Sequence, residues 1–361
     1  MNATEINRGM AKIKEAVANI EQTMAITGDR IHAEKMRQLA EKADDTVLNI
    51  AFCGHFSAGK SSLINKLCGQ ALLPSSPIPT SANIVEIRDG NPGVTVRHYA
   101  REAQPPVLAE IGIGELDAYC RNGADIESIH IRYPVPLLGG RAALLDTPGI
   151  DSTDDAHMKS TESALHMADV VFYVMDYNHV QSEINFGFTK RLKEWGKPLY
   201  LVVNMIDKHK EREIPFEEYR RSVYESFANW HIVPDGILFM SVKRPDHPHA
   251  EWEKLVWLIE KLSESSEPLR ELSLVQSARF MVEEHGRWLA EQNEAEKAQY
   301  RGQMEKEGGE EAAERYEEAR RELEQCRKHA ETLRQHLRAE IASLLENANI
   351  TPAATRDLAD H

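Results

Sequence analysis

The N-terminal stretch of the chain carries apolar residues at alternating spacings of three and four. These residues are Ile6, Met10, Ile13, Val17, Ile20 and Met24. The spacing places one apolar stripe along a helix. Gly28 and Asp29 interrupt the pattern, and a second helix is predicted at about 30–42, with Ile31, Met36 and Leu39 as its apolar residues. Because a helix cannot bury its own stripe, both segments need partner helices.

The middle of the chain, from about residue 47 to 262, alternates short apolar stretches with helical ones. The predicted strands are 47–53, 84–88, 94–99, 126–133, 142–145, 170–175, 199–203 and 237–240. The predicted helices are 60–68, 154–167, 182–195, 215–230 and 249–262. Strands that alternate with helices indicate an α/β fold with a mostly parallel sheet covered on both faces.

The last part, from about residue 268 to 345, is highly charged and rich in helix-forming residues. It carries a second apolar stripe, the C-terminal stripe, formed by Tyr316, Ala319, Leu323, Cys326, Ala330, Leu333, Leu337, Ile341 and Leu344. Gly308 and Gly309 predict a turn between two long helices. We expect the two stripes to bury one another in a bundle beside the α/β domain, with no chemistry of its own.

Composition narrows the class of protein. With 361 residues the chain exceeds the usual size of one core, so a globular domain plus an accessory element is expected. A net charge of −15 at pH 7 disfavours direct binding of nucleic acid. The longest apolar runs have strand length, and the N-terminus has no apolar signal core. Four cysteines without paired spacing fit a reduced, cytoplasmic protein.

The strongest motif runs from residue 54 to 61 and matches a phosphate-binding loop. Its glycines let successive N–H groups point at phosphates, and the following helix adds its positive N-terminus. Lys60 is expected to reach the outer phosphates and Ser61 to ligate Mg²⁺. The predicted nucleotide-binding residues here are Gly54, His55, Phe56, Ser57, Ala58, Gly59, Lys60, Ser61 and Ser62. A predicted strand precedes the loop and a predicted helix follows it, which is the context that this motif requires.

Two further motifs belong to the same chemistry. Asp146-Thr-Pro-Gly149 follows an apolar strand, so that Asp146 can hold a Mg²⁺-bound water and the Gly149 N–H can bind the γ-phosphate. The loop 74–81 is rich in proline, and its Thr80 is predicted to donate a hydroxyl to Mg²⁺ and an N–H to the γ-phosphate. The predicted metal ligands are therefore Ser61, Thr80 and Asp146.

The nucleobase is predicted to be guanine. Asn204-Met-Ile-Asp207 follows the strand 199–203, and Asp207 can accept both the ring N–H and the exocyclic amine of guanine, a donor pair that adenine lacks. Such a site can reject the wrong base by about 10⁴–10⁵. The weaker motif Ser241, Val242 and Lys243 follows the strand 237–240 and can place backbone groups on the guanine oxygen.

Together, residues 54–62, the loop from Leu73 to Thr80, residues 146–149 and residues 204–207 resemble those of a bacterial dynamin-like protein, a GTPase of the dynamin superfamily. The flanking helices resemble the neck of such proteins, and the resemblance covers nearly the whole chain. It implies a P-loop GTPase domain flanked by a helical bundle that the N- and C-terminal segments form. It also implies hydrolysis of GTP to GDP and phosphate, with homodimers formed face to face across the nucleotides and coupled to membrane remodelling or fusion.

The resemblance also assigns catalytic roles. Ser57 helps to position the attacking water and ligates a monovalent cation, K⁺ or Na⁺, where one is used, and Lys60, Thr80 and Gly149 complete the set. Many regulatory GTPases orient water with a glutamine after the motif at 146–149, but Ile150 and Asp151 stand there. A dimer partner or a cation is then the economical way to orient water, and a group supplied in trans can raise the rate by about 10³–10⁵. The loop 176–182 is a candidate for contacts across the dimer.

Two positions depart from the family pattern. Phe56 stands where eukaryotic dynamins carry a polar residue. Met205 replaces the lysine that usually packs on the purine ring, so that either its thioether covers the base or Lys208 substitutes for the missing lysine.

We expect bundle helices in residues 1–46, a dynamin-type GTPase domain in 47–264, neck helices in 265–346 and an irregular tail in 347–361. The family reaches membrane lipid through a stalk and tip, and residues 268–361 contain no such segment. The expectation is a GTPase-plus-bundle part of a longer protein, cytoplasmic and peripheral at the membrane. The alternatives are a regulatory or ribosome-assembly GTPase with helical partner-binding arms, and a nucleotide-stabilised scaffold without turnover.

Overall fold

The computed structural model describes residues 3–73, 84–98, 107–116, 126–147, 165–307 and 310–347. These residues form two compact units. The helical unit contains the described residues up to Asp44 and those from Leu274 onwards, and the α/β unit contains those from Asp45 to Ser273. Most of the predicted helix at 154–167 and of the predicted tail at 347–361 lies outside the described residues. The bounds of the four predicted segments stay predictions.

The described residues form eight α-helices and nine β-strands. The helices are α1 (Ala3–Ile26), α2 (Arg30–Lys42), α3 (Lys60–Cys68), α4 (Glu183–Glu194), α5 (Phe216–Asn229), α6 (Trp252–Glu264), α7 (Ser266–Glu307) and α8 (Glu310–Asn347). The strands are β1 (Leu48–Gly54), β2 (Ile84–Asp89), β3 (Gly93–His98), β4 (Leu108–Ile111), β5 (Ile126–Tyr133), β6 (Ala142–Asp146), β7 (Val170–Asp176), β8 (Leu199–Asn204) and β9 (Gly236–Phe239). The predicted strands and the predicted helices within the described ranges lie within a few residues of their expected bounds.

In the helical unit α1 packs against α2 and also contacts α8. The N-terminal stripe is buried at Ile13, Val17, Ile20 and Met24, as its spacing predicts. Ile31 is 68% exposed, which corrects the expectation that it shares the apolar side of α2. The buried face of α2 carries Met36 and Leu39, and at about 100° per residue Ile31 points well away from that face.

The long helices α7 and α8 lie on either side of residues 308–309, where the sequence predicts a break. Pro268 falls in the first turn of α7, where its missing N–H has no helical partner to lose. The C-terminal stripe is less buried than expected: among its described side chains Leu337 is buried, whereas Tyr316 and Cys326 are exposed. In the ranges that the structure describes, no helix combines the length and the apolar character needed to cross a bilayer.

The α/β unit is built on one sheet with the strand order β4-β3-β5-β2-β6-β1-β7-β8-β9. From β6 through β9 neighbouring strands run parallel, and β2 is parallel to β5. The antiparallel pairs are β2 with β6 and β3 with both β4 and β5. The predicted α/β class with a mostly parallel sheet is confirmed. The sequence prediction lacks β4, because this four-residue edge strand is too short to show a period and its Leu108 is 65% exposed.

The central strands form the core of this unit. β1 and β8 are buried along their whole length, as in sheets with helices on both faces. The rings of Phe52, Phe172 and Tyr200, on three adjacent strands, stack with centroid separations of 5.2 and 5.1 Å. Because β6, β1, β7, β8 and β9 are parallel, their carboxyl ends meet at one edge, which is where ligands bind in such sheets.

Candidate nucleotide-binding site

The loop after β1 can be made only with glycine at two positions. Gly54 has φ +136°, and a Cβ there would lie 2.0 Å from the Val174 carbonyl oxygen on β7. Gly59 has φ +86°, and a Cβ there would lie 2.6 Å from Asn204 Nδ2. Residues with positive φ are strained unless they are glycine. The loop is therefore closed tightly against the ends of β7 and β8.

Lys60 opens α3 and is buried. Its ammonium donates hydrogen bonds to the Gly54 carbonyl at 2.9 Å and to the His55 carbonyl at 3.0 Å, so it lies across the loop. Burial lowers the pKa of Lys60, and the nearby Asp146 carboxylate opposes the shift. A buried ammonium at the start of a helix is placed to bind an anion, because the helix N-terminus favours negative charge as well.

The predicted metal ligands Ser61 and Asp146 are brought together because β6 pairs parallel with β1. Ser61 Oγ donates a hydrogen bond to Asp146 Oδ2 at 2.8 Å. Asp146 Oδ1 is buried and, among the described residues, has no hydrogen-bond partner. Burial raises the pKa of Asp146, with Lys60 and the Ser61 hydroxyl opposing. A buried carboxylate oxygen beside a hydroxyl suits Mg²⁺, which prefers oxygen ligands.

The structure describes only some of the other residues predicted to bind the phosphates and Mg²⁺. The Thr147 hydroxyl donates to the Phe52 carbonyl at 3.0 Å, which fixes the chain after Asp146 to β1. The predicted ligands Thr80 and Gly149 lie outside the described residues. In the phosphate loop Ser57 is exposed, Ala58 is buried, and His55 and Ser62 are half-buried; the backbone of Phe56 lies in the 3₁₀ turn Phe56–Ala58.

Asn204 joins the phosphate loop to the base motifs. Its buried amide donates from Nδ2 to the Ala58 carbonyl at 2.9 Å and accepts at Oδ1 from the Val242 N–H at 3.4 Å. One side chain at the end of β8 therefore contacts segments that lie far apart along the chain.

Asp207 follows in a tight turn. Its Oδ1 accepts a hydrogen bond from the buried Ser241 hydroxyl at 2.5 Å, and the Ile206 N–H donates to the Met240 carbonyl at 3.1 Å. The structure therefore brings the weak motif at 241–243 against the stronger one at 204–207. Lys243 is exposed.

Lys208 pairs with a residue that sequence reasoning did not assign to the base site. Its ammonium donates to Asp176 Oδ2 at 2.5 Å. Burial would raise the pKa of Asp176, but the hydrogen bonds from Lys208 and from the Asn178 N–H lower it overall. Asp176 ends β7 and pairs in register with Asn204, so a polar residue at a strand's carboxyl end was the available signal.

The chain was compared with known families, proteins and structures to find which of them it is similar to. Residues 50–207 match the model of the dynamin family. The chain is 38% identical over 331 residues to Dynamin-like protein A of Bacillus subtilis, covering 92% of this chain and 27% of that protein. It is 26% identical over 205 residues to Dynamin-like protein 2 of Campylobacter jejuni, covering 54% of this chain and 32% of that protein.

The fold is similar to a solved structure of an oligomerised bacterial dynamin pair, with a TM-score of 0.52 and 15% sequence identity. That similarity covers 93% of this chain and 54% of the solved one. The chain thus spans between about a quarter and about a half of the length of the proteins it matches.

Proposed function

Because the chain belongs to the dynamin family, whose members are GTPases, we propose that it binds GTP at the edge of its sheet and hydrolyses it to GDP and phosphate. In this proposal two copies of the chain pair through the faces that bind the nucleotide, and this pairing depends on the bound nucleotide. The finer function is mechanochemical: dimerisation is coupled to membrane remodelling or fusion.

The observation that carries the proposal is the convergence of four separate motifs. Ser61 and Asp146 are in contact at 2.8 Å, and Asn204 contacts the phosphate loop at Ala58 at 2.9 Å. Ser241 contacts Asp207 at 2.5 Å. These contacts support a single site with phosphate, cation and base subsites, which is what binding of a nucleoside triphosphate with Mg²⁺ requires.

The residues would divide the work as follows. The loop amides from residue 54 to 61 and Lys60 bind the phosphates, and Asp207 binds the guanine edge. Ser61, Asp146 and Thr80 would hold Mg²⁺, which would neutralise the negative charge of the phosphates. Gly149 contacts the γ-phosphate through its N–H, and Ser57, with or without K⁺ or Na⁺, orients the attacking water.

A second copy is proposed because no glutamine follows Gly149 to orient water: Ile150 and Asp151 stand there. Ser57 is exposed, so a group from another molecule can reach it. In this proposal a stalk and tip make the contact with membrane lipid, and the protein is cytoplasmic and peripheral at the membrane.

The test is GTP turnover per molecule as a function of protein concentration, with Mg²⁺, in potassium and in sodium buffer. Turnover per molecule that rises with concentration supports completion of the site across a dimer. A flat and slow rate contradicts the dimer and favours a switch that needs a separate activator.

Lys60→Ala is expected to abolish turnover in the same assay. The matched control is Lys66→Ala, because Lys66 is an exposed lysine on the same helix and contacts none of the four motifs in the described hydrogen bonds. Undiminished turnover in Lys60→Ala would refute the assignment of the site.

A further inference from the structure

The turn that carries Asp207 is short and is held by its own backbone. The Lys208 N–H donates to the Met205 carbonyl at 3.0 Å, and the His209 N–H donates to the Ile206 carbonyl at 2.9 Å. These bonds set the shape of the turn but do not fix it to the rest of the unit. Its side towards β9 is fixed by Ser241, as described above, so the other side depends on the residues that meet Lys208 and His209.

An ion pair provides the first of these contacts. The Asp176 carboxylate and the Lys208 ammonium lie 2.5 Å apart, with the Asp176 side chain 13% exposed and that of Lys208 40% exposed. The other carboxylate oxygen, Oδ1, accepts the Asn178 N–H at 2.8 Å. Asp176 therefore joins the start of the 176–182 loop to the residue immediately after Asp207.

A part-buried hydrogen bond provides the second contact. The Tyr177 hydroxyl lies 2.8 Å from His209 Nδ1. The His209 side chain is only 2% exposed, so it meets this bond from the protein side. The two rings meet edge to face, with centroids 5.7 Å apart. Neither Tyr177 nor His209 belongs to a sequence motif.

The loop that supplies these contacts is itself fixed from two helices. On α5, the Tyr219 hydroxyl donates to the Tyr177 carbonyl at 3.0 Å. On α4, the buried Asn185 amide donates to the His179 carbonyl at 2.6 Å and to the Val180 carbonyl at 3.2 Å. The loop is therefore a rigid support, and it touches the two residues that directly follow Asp207.

We propose that Asp176 and Tyr177 are positioning residues for guanine recognition, which hold Lys208 and His209 so that the Asp207 carboxylate faces both donors of the base. The inference rests on the proposed binding of guanine nucleotides. A carboxylate discriminates only if both of its contacts form together. A looser turn therefore loses selectivity for the base before it loses affinity for the phosphates, which bind to a different loop.

The experiment compares two nucleotides that differ in one donor. IDP carries hypoxanthine, which has the ring N–H of guanine but lacks the exocyclic amine. Dissociation constants of mant-GDP and mant-IDP are measured on the full chain with Mg²⁺. A hydrogen bond to a charged group is worth about ten- to a hundredfold in affinity, so the wild type is expected to prefer GDP by about that ratio.

The test variants are Tyr177→Phe, which removes only the hydroxyl, and Asp176→Asn, which removes the charge. Each is expected to lower the GDP-to-IDP ratio at least about threefold while the IDP affinity changes less than about twofold. Glu264→Gln and Tyr224→Phe are the matched controls. Glu264 forms an exposed ion pair with Lys261 at 2.6 Å on α6, and Tyr224 is a 42% exposed tyrosine on α5.

The outcomes separate the inference from the proposed function. A wild type that does not prefer GDP refutes guanine recognition, and the positioning role falls with it. A wild type that prefers GDP, with an unchanged ratio in both test variants, overturns the positioning role alone. Equal losses for GDP and IDP also overturn it, because they indicate general destabilisation, and thermal unfolding of each variant measures that destabilisation separately.

Discussion

Replacing Asn204 by alanine tests whether the phosphate and base subsites work as one. The Asn204 side chain is buried and donates to the Ala58 carbonyl at 2.9 Å. Ala58 is fully buried, so its carbonyl loses this donor without gaining access to water. A buried polar group left unpaired costs about 1–3 kcal/mol. The second bond, from the Val242 N–H, is 3.4 Å long and contributes less.

If the unpaired carbonyl distorts the nucleotide-binding loops by that free energy, the affinity for mant-GDP decreases by about five- to 150-fold. The same cost lowers the thermal midpoint by about 2–12 °C for a unit of this size. Titration of mant-GDP fluorescence and a thermal unfolding scan of the same sample measure the two effects.

Asn49→Ala separates the two effects. Asn49 is also buried and donates from Nδ2 to a backbone carbonyl, that of Met167, at 3.1 Å. It lies near the start of β1, whereas the phosphate loop follows the end of that strand. We expect Asn49→Ala to lower the thermal midpoint but to leave the affinity for mant-GDP within about twofold. An Asn204→Ala protein with that same behaviour would refute the reasoning.

Three shorter predictions follow from the same contacts. Gly59→Ala should abolish tight mant-GDP binding, because the new Cβ would lie 2.6 Å from Asn204 Nδ2. Gly69→Ala is the control: Gly69 has φ +69° and a Cβ there would meet nothing within 4 Å, so this change should cost only about 1–2 kcal/mol of stability. Equal loss of binding in both variants contradicts this. Asp146→Asn replaces one carboxylate oxygen of the candidate Mg²⁺ site by an amide nitrogen, so it should abolish turnover with Mg²⁺; undiminished turnover contradicts the assignment of Asp146 as a metal ligand. Burial alone would raise the pKa of Asp29, but hydrogen bonds with two histidines lower this pKa overall. The stabilising effect of the Asp29 carboxylate should therefore be complete above its unfolded pKa of about 3.9 and decline as the pH falls through its lower folded pKa. The free energies of unfolding in urea of Asp29→Asn and the wild type should then converge in acid, and a constant difference between them contradicts this.

The elements that the sequence predicted are those whose signal is local. The strand at 199–203 is a run of apolar residues, and Asn204 and Asp207 follow it, so strand, turn and candidate site were all visible in one short stretch. The structure places β8 there, buried throughout. The same holds for β1 and the phosphate loop, where glycine at 54 and 59 is required by the positive φ values.

Contacts that depend on strand register were not visible in the sequence. Asp176 reaches Lys208 because β7 pairs with β8 so that Asp176 lies opposite Asn204. Tyr177 reaches His209 for the same reason. Tyr177 and His209 are 32 residues apart, and no local pattern in the sequence predicts that their side chains meet.

Periodicity also identifies a face without identifying what covers it. The C-terminal stripe on α8 has regular spacing, yet Tyr316 is 40% exposed and Cys326 is exposed. In the N-terminal stripe the same kind of spacing is accompanied by burial at Ile13 and Met24. The difference lies in the neighbouring helices, which a single helix's sequence does not encode.

Met205 shows why the support of the base turn matters more in this chain than the motif alone suggests. Its backbone is left-handed, with φ 64°, which costs a non-glycine residue about 1–2 kcal/mol and must be offset by the surrounding contacts. Its Cε lies 3.7 Å from where a Cβ would stand on Gly59, so the thioether packs on the phosphate loop without adding positive charge there. Lys208 does not restore that charge, because its ammonium is bound to Asp176. Hydrogen bonds to Asp207 then carry the proposed recognition of the base, and hydrogen bonds weaken steeply with misalignment. The proposed selection for guanine therefore depends on how firmly the turn that carries Asp207 is held.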